Sequence, residues 1–243
     1  MATTMIHAVI FDFNGVLIDD ESVHFELFQE VLAEEGVAIT DLDYHDKYLG
    51  LDDRGCFEAA LRDGGQNADE YRLNELIARK AKRYIAAAER GLKYFPGAAD
   101  ILGSIAEHWP VAINSGALRP EIEYALNRLN RREHVAAIVS AEDATNCKPH
   151  PQGYLLALDA LRSKLRDEEN SARPPLLAGN CLVIEDSLAG IMSAKSAGML
   201  AVGVATTYGA DELRAAGADD VVPNLLTFNP EWIKGRFSAS TPS

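Results

Sequence analysis

The run Val9-Ile10-Phe11-Asp12-Phe13-Asn14-Gly15 ends an apolar stretch on a carboxylate and follows it with a glycine. A carboxylate at the end of a buried strand, beside a residue without a Cβ, can attack an anionic phosphorus as a nucleophile. Residues i and i+2 of a strand share a face, so Asn14 stands beside Asp12 where a second carboxylate would carry out proton transfer. An amide neither takes nor gives that proton.

Three further stations have the same character. Ser115-Gly116-Ala117 follows a second apolar run; the Ser115 hydroxyl and the backbone N–H groups of Gly116 and Ala117, at a helix start, suit phosphoryl oxygens. Lys148 precedes Pro149, which keeps it out of a helix, and an ammonium there offsets charge on a nucleophile and a transferring phosphoryl group. Glu185 and Asp186 close the run Cys-Leu-Val-Ile. Adjacent acids at the end of an apolar strand are costly without a cation, and hard oxygen donors suit Mg2+. Asp186 is the expected direct ligand, with Glu185 binding directly or through water. Ser187 reads as the N-cap of a helix over residues 188–197 that Gly198 closes.

Holding these groups together requires strands that end at one edge. Apolar runs at 7–13, 109–114, 136–140 and 181–185, with 200–205 and 220–222, predict six strands alternating with helices. That pattern means an α/β fold with a Rossmann-like parallel sheet covered on both faces, and ligands at the carboxyl ends of its strands. About ninety residues separate the first two strands, far more than a crossover helix needs. Phe25, Phe28, Leu32, Phe57, Leu61, Leu73, Leu76, Lys80 and Tyr84 recur there at helical spacing. Residues 20–91 are therefore expected to be an inserted α-helical cap that excludes water, and residues 1–19 and 92–243 the core, rejoined at Phe95-Pro96-Gly97. Residues 163–180 read as a polar surface loop and the tail from Ser238 as frayed.

Composition narrows the partners. The 243 residues are 47% hydrophobic and 25% charged, as in soluble globular proteins. A net charge of −14 repels nucleic acid and anionic membranes. No basic leader opens the chain and no run approaches the ~20 apolar residues of a membrane helix. Cys56, Cys147 and Cys181, odd in number and without metal-ligand spacing, are expected to be buried reduced thiols. The expectation is a cytoplasmic protein that meets neither nucleic acid nor membrane.

The order Asp12-x-Asn14-Gly15, Ser115-Gly116, Lys148-Pro149-x-Pro151, Glu185-Asp186-Ser187 resembles the haloacid dehalogenase superfamily over residues 6–222. Within it, the chain is similar to the phosphatase and beta-phosphoglucomutase-like branch with a helical cap after the first strand. The resemblance implies that Asp12 becomes an aspartyl-phosphate and binds Mg2+, and that the Asn14 backbone carbonyl is a further ligand, which the amide retains. It also implies that the side chain at position 14 is normally the acid/base, a function worth ~10²- to 10⁴-fold in rate. In the cap, His24 falls where mutases of the family carry a histidine, and Arg54 is a candidate contact beyond the phosphate. Leu49 replaces a mutase lysine, which favours a hydrolase over a phosphomutase. Lys80 and Arg83 read equally well as a solvated face. A metal-free dehalogenase would gain nothing from the Glu185-Asp186 pair, and a receiver-like domain does not carry the helical insertion. The resulting expectation is a Mg2+-dependent phosphohydrolase of small phosphorylated metabolites, attenuated at Asn14 unless Glu21 or His24 supplies a base; the alternative is a phospholigand-binding homologue without catalysis.

Overall fold

The computed structural model describes residues 5–167 and 175–237. Six parallel strands form one sheet in the order β3-β2-β1-β4-β5-β6: β1 Ala8–Phe11, β2 Val111–Asn114, β3 Ala137–Val139, β4 Cys181–Glu185, β5 Leu200–Val204 and β6 Asp220–Val222. Both faces are covered, and alternation along each strand sorts the residues between them. Val9 and Phe11 of β1, Val111 and Ile113 of β2, and Leu182 and Ile184 of β4 enter one apolar cluster. Their neighbours Ala8, Ile10, Ala112, Cys181 and Val183 enter the other. The central strands are consequently apolar on both sides, with polar residues only where they end.

Several strand ends fall one or two residues inside the expected bounds, and two of them do so for clear local reasons. β1 stops at Phe11: the Asp12 N–H still donates to Ile184 O at 2.9 Å, after which the chain turns through Gly15, whose φ is +76°. A Cβ on Gly15 would lie 2.0 Å from Asp186 Oδ2, so the turn needs glycine for both conformation and space. β2 begins at Val111, since Pro110 has no N–H to offer a ladder; its carbonyl accepts from the Val9 N–H at 3.1 Å.

Between β1 and β2 lie α1 Glu21–Glu34, a short α2 Asp41–Asp43, a π-helical turn Tyr44–Tyr48, α3 Asp53–Asp63 and α4 Glu70–Arg90. Asp52 and Asp69 cap α3 and α4 by accepting from the N–H groups of Gly55 and Arg72. Phe28, Leu32, Phe57, Leu61 and Leu76 form an apolar cluster belonging to this segment alone. Leu27, Tyr84 and Ala88 pack instead with Tyr124, joining its base to the helix after β2.

The remaining helices are α5 Ala98–Ala106, α6 Arg119–Arg128, α7 Gln152–Asp167, α8 Leu188–Ser196, α9 Ala210–Ala215 and α10 Pro230–Phe237. Ser187 caps α8 by accepting from the Gly190 N–H, and Gly198 follows its end at φ +76°. The reading of 163–180 as a loop is corrected at both ends. α7 runs on to Asp167 because Leu165 packs against the second cluster, and Ala178–Asn180 form a 3-10 turn. Residues 168–174 and the tail from Ser238 lie outside the described residues. No helix among the described residues is long and apolar enough to cross a membrane.

Candidate active site

Strand order reverses between β1 and β4, and it is there, at the carboxyl ends, that an α/β sheet opens a crevice. Asp12 and Glu185 reach it from these two strands, Ser115 from the end of β2 and Thr207 from beyond β5. Lys148 Nζ donates to Asp12 Oδ1 at 2.5 Å and also bonds Glu185 Oε1. Glu185 is fully buried, and Tyr154 OH donates to its Oε1 at 2.8 Å. Its Oε2 accepts from the N–H groups of Asp186 and Ser187, at 3.0 Å each, and from Ser187 Oγ at 2.9 Å. Gly190 leaves room for this carboxylate: a Cβ there would lie 1.8 Å from Oε1. Asp186 accepts from Thr207 Oγ1, and Thr206 Oγ1 donates to the Gly15 carbonyl at 2.6 Å.

Asp12, Glu185 and Asp186 bring oxygens within 4.8 Å of one another, all three residues buried. Against three carboxylates stands the single ammonium of Lys148. Burial pushes the Asp12 carboxyl up, Lys148 partly offsets this and Glu185 adds to it, leaving a pKa of about 7. Asp186 is raised well above the carboxylate range by burial and by Glu185 and Asp12. Surplus negative charge on hard oxygens at one point is the electrostatic counterpart of a divalent-cation site. The residues present therefore fit Mg2+.

A profile of the haloacid dehalogenase-like hydrolases matches residues 9–204. The chain belongs to that family. Validoxylamine A 7'-phosphate phosphatase of Streptomyces hygroscopicus subsp. limoneus is 26% identical, over 91% of this chain and 95% of that protein. A phosphorylated carbohydrates phosphatase of Thermotoga maritima is 28% identical over 80% of this chain and 82% of its own. Among solved structures, beta-phosphoglucomutase from Clostridium difficile superposes with a TM-score of 0.80 at 24% identity, covering 96% of this chain and 97% of that one.

In this haloacid dehalogenase-like hydrolase the structure brings Asp12, Asn14, Ser115, Gly116, Ala117, Lys148 and Asp186 to the wall of one cavity. Glu21 and His24 line it from α1, with Phe28, Tyr44, Leu49 and Leu51. Several expectations change. Glu185 lies behind the lining: its Oε1 holds Lys148 and Tyr154 and its Oε2 the Asp186–Ser187 turn, while its oxygens stay within 4.8 Å of those of Asp12 and Asp186, which do face the cavity. Arg54 is outside the lining: it is exposed and donates to Asn74 Oδ1 at 2.6 Å. Lys80 is no solvated residue but fully buried, donating to Asp53 Oδ1 at 2.5 Å, whereas Arg83 does remain at the surface with Glu30 and Glu34. Cys147 is exposed rather than buried, its thiol donating to Asp52 Oδ2 at 3.0 Å.

The Asn14 amide has a defined environment. Its Nδ2 donates to Asp20 Oδ1 at 3.0 Å and to Oδ2 at 3.2 Å, and lies 3.3 Å from His24 Nε2. Its Oδ1 accepts from Ser115 Oγ at 3.2 Å. Burial disfavours ionised Asp20, but His24, Tyr84 and Asn14 outweigh it and hold this carboxyl below its usual value. For His24, burial and the Lys80 ammonium oppose protonation, and Asp20 outweighs them, so its pKa is raised.

Sequence reasoning passed over Asp20, Tyr154, Thr206, Thr207 and Asn114. Asn114 is 4% exposed, lines the cavity and leaves its Nδ2 without a partner. Thr206 and Thr207 follow an apolar run, so the strand-end rule that selected Ser115 applies to them equally. Nothing in the sequence marks Asp20.

Proposed function

We propose that this chain is a Mg2+-dependent phosphomonoester hydrolase that works through Asp12, with turnover slowed by the amide at position 14. The observation that carries the reading is Asp12 held between Lys148 and Asp186 at the sheet's switch point. The two phosphatases similar to this chain, one named for phosphorylated carbohydrates, support a phosphorylated carbohydrate as the kind of molecule transformed.

In this reading the phosphate sits over Asp12, taking hydrogen bonds from the Gly116 backbone and the unpartnered Asn114 Nδ2, and from Ser115 Oγ and the Ala117 N–H in exchange for their bonds to Asn14 and to each other, with Lys148 beside it. Asp12 attacks phosphorus in line, the P–O bond to the leaving alcohol breaks, and water later cleaves the aspartyl-phosphate. Asp12, Asp186 and the Asn14 carbonyl, with Glu185 directly or through water, would hold Mg2+, which when bound neutralises phosphoryl charge. Lys148 favours the ionised form of Asp12 against its burial and orients it. Residues 20–91 act as a cap whose Phe28, Tyr44 and Leu49 exclude water from the phosphate.

Asn14 neither protonates the leaving oxygen nor activates water, so both chemical steps lose ~10²- to 10⁴-fold. The engagement of its NH2 with Asp20 favours the second reading, a phospholigand-binding protein without turnover. Release of phosphate from a panel of phosphomonoesters with Mg2+ separates them. Slow hydrolysis abolished by Asp12→Asn supports the enzyme; binding without hydrolysis across the panel supports the second.

A further inference from the structure

Asp20, immediately before α1, is 1% exposed and accepts from three groups. These are the Asn14 amide, Tyr84 OH at 2.5 Å and His24, whose Nε2 lies 3.2 Å from Oδ2. Donor and acceptor are fixed by chemistry, because an ionised carboxylate can only accept and the amide Nδ2 can only donate. The amide oxygen is turned the other way, onto Ser115 Oγ. An ionised carboxylate at position 14 in this orientation would face Asp20 across about 3 Å with no hydrogen between them, where like charges repel, so the two carboxyls would have to share a proton.

We propose that Asn14 and Asp20 are a matched pair: the buried carboxylate at 20 requires the amide at 14, and Asp20 is a positioning residue that holds the Asn14 side chain against Ser115. The consequence reaches past the strand end. His24 Nδ1 accepts from Lys80 Nζ at 2.8 Å and Lys80 bonds Asp53, so one chain of hydrogen bonds, buried at His24 and Lys80, runs from the Asp12 turn through α1 to α4 and α3. Position 14 is thus tied to the helical segment over the cavity. Restoring a freely titrating acid there takes two substitutions, because in Asn14→Asp alone the new carboxyl must share its proton with Asp20.

A four-protein cycle tests the pairing: the wild type, Asn14→Asp, Asp20→Asn, and the two together, each followed by thermal unfolding and by turnover of p-nitrophenyl phosphate with Mg2+. Each single change is expected to lower Tm by about 5 °C or more, and the double variant to recover most of the loss. The kinetic arm rests on the phosphohydrolase reading. There kcat of the double variant exceeds that of Asn14→Asp by about tenfold or more with KM unchanged, since Ser115 and Lys148 are untouched. A thermal cycle in which the two losses simply add, or an Asn14→Asp protein as stable as the wild type, overturns the pairing. Should Asn14→Asp yield no folded protein, recovery of folding in the double variant supports the pairing and its failure overturns it. Thermal coupling with no turnover in any of the four proteins supports the pairing and sinks the hydrolase reading.

Discussion

In the proposed function Asp12 is both nucleophile and metal ligand, and the groups around it survive its removal. In Asp12→Asn, Ser115 and Lys148 remain to bind phosphate, while the amide cannot attack phosphorus. Turnover is expected to fall at least ~10³-fold with inorganic phosphate still binding by calorimetry; turnover near the wild-type rate would mean that another group is the nucleophile. Mg2+ gives a second handle at this scale. At about 100 times its Kd the ion stabilises by about 2.7 kcal/mol, a Tm rise of roughly 5–10 °C for a chain of this size. Most of that rise should vanish in Asp186→Asn, which keeps the volume and the Thr207 contact but loses the charge. Single residues were legible where type and position coincided: Asp12 and Asp186 are acids at the ends of apolar runs. Asp20 was not, because its significance lies in His24, Tyr84 and Asn14 converging on it, and Tyr84 is 64 residues away.

At the scale of elements, the apolar runs gave β4 and β6 to the residue, while β1 ran too long because Phe13 is as apolar as a strand residue and only the turn ends the ladder. The stripe Leu73, Leu76, Lys80, Tyr84 marked the inner face of α4, but that Lys80 could be buried on it depends on Asp53 and His24, 27 and 56 residues distant. The same junction sets a pH dependence. Glu121 of α6 is buried, accepts from the Leu118 N–H through Oε2 and leaves Oε1 without a partner. Burial raises its pKa from 4.5 to about 7, opposed by Lys80 and His24 and reinforced by Asp53. The folded protein therefore holds this proton more tightly than the unfolded chain, and the stability it contributes is present below about pH 4.5 and lost as pH rises to about 7. Glu121→Gln, which keeps the acceptor for Leu118, should exceed the wild type in stability by on the order of 2 kcal/mol at pH 8 and by much less at pH 5. Thermal unfolding at the two pH values measures this, and a pH-independent difference between the proteins contradicts it.

The whole molecule carries −14, yet the proposed substrate is an anion, so local and global fields oppose each other. Lys148 is the single lysine or arginine among the described residues lining the cavity, and Asp12 and Glu185 already hold it. Away from the phosphate station the wall presents Phe28, Tyr44, Leu49 and Leu51 together with Glu21 and Asp52. Such a wall suits a remainder bearing hydroxyls and apolar faces and penalises a second phosphate or a carboxylate, since juxtaposing like charges costs affinity. Phosphomonoesters with a neutral remainder should therefore exceed the matching bisphosphates in kcat/KM by at least about tenfold, equivalent to ~1.4 kcal/mol. Salt provides an independent check. Screening weakens the long-range repulsion between the acidic protein and its anionic substrate, so kcat/KM should rise as ionic strength goes from ~0.01 to ~0.15 M, and rise more steeply for the bisphosphate. Preference for bisphosphates, or kcat/KM falling with added salt, would contradict this and mean that cations outside the described lining take part in recognition.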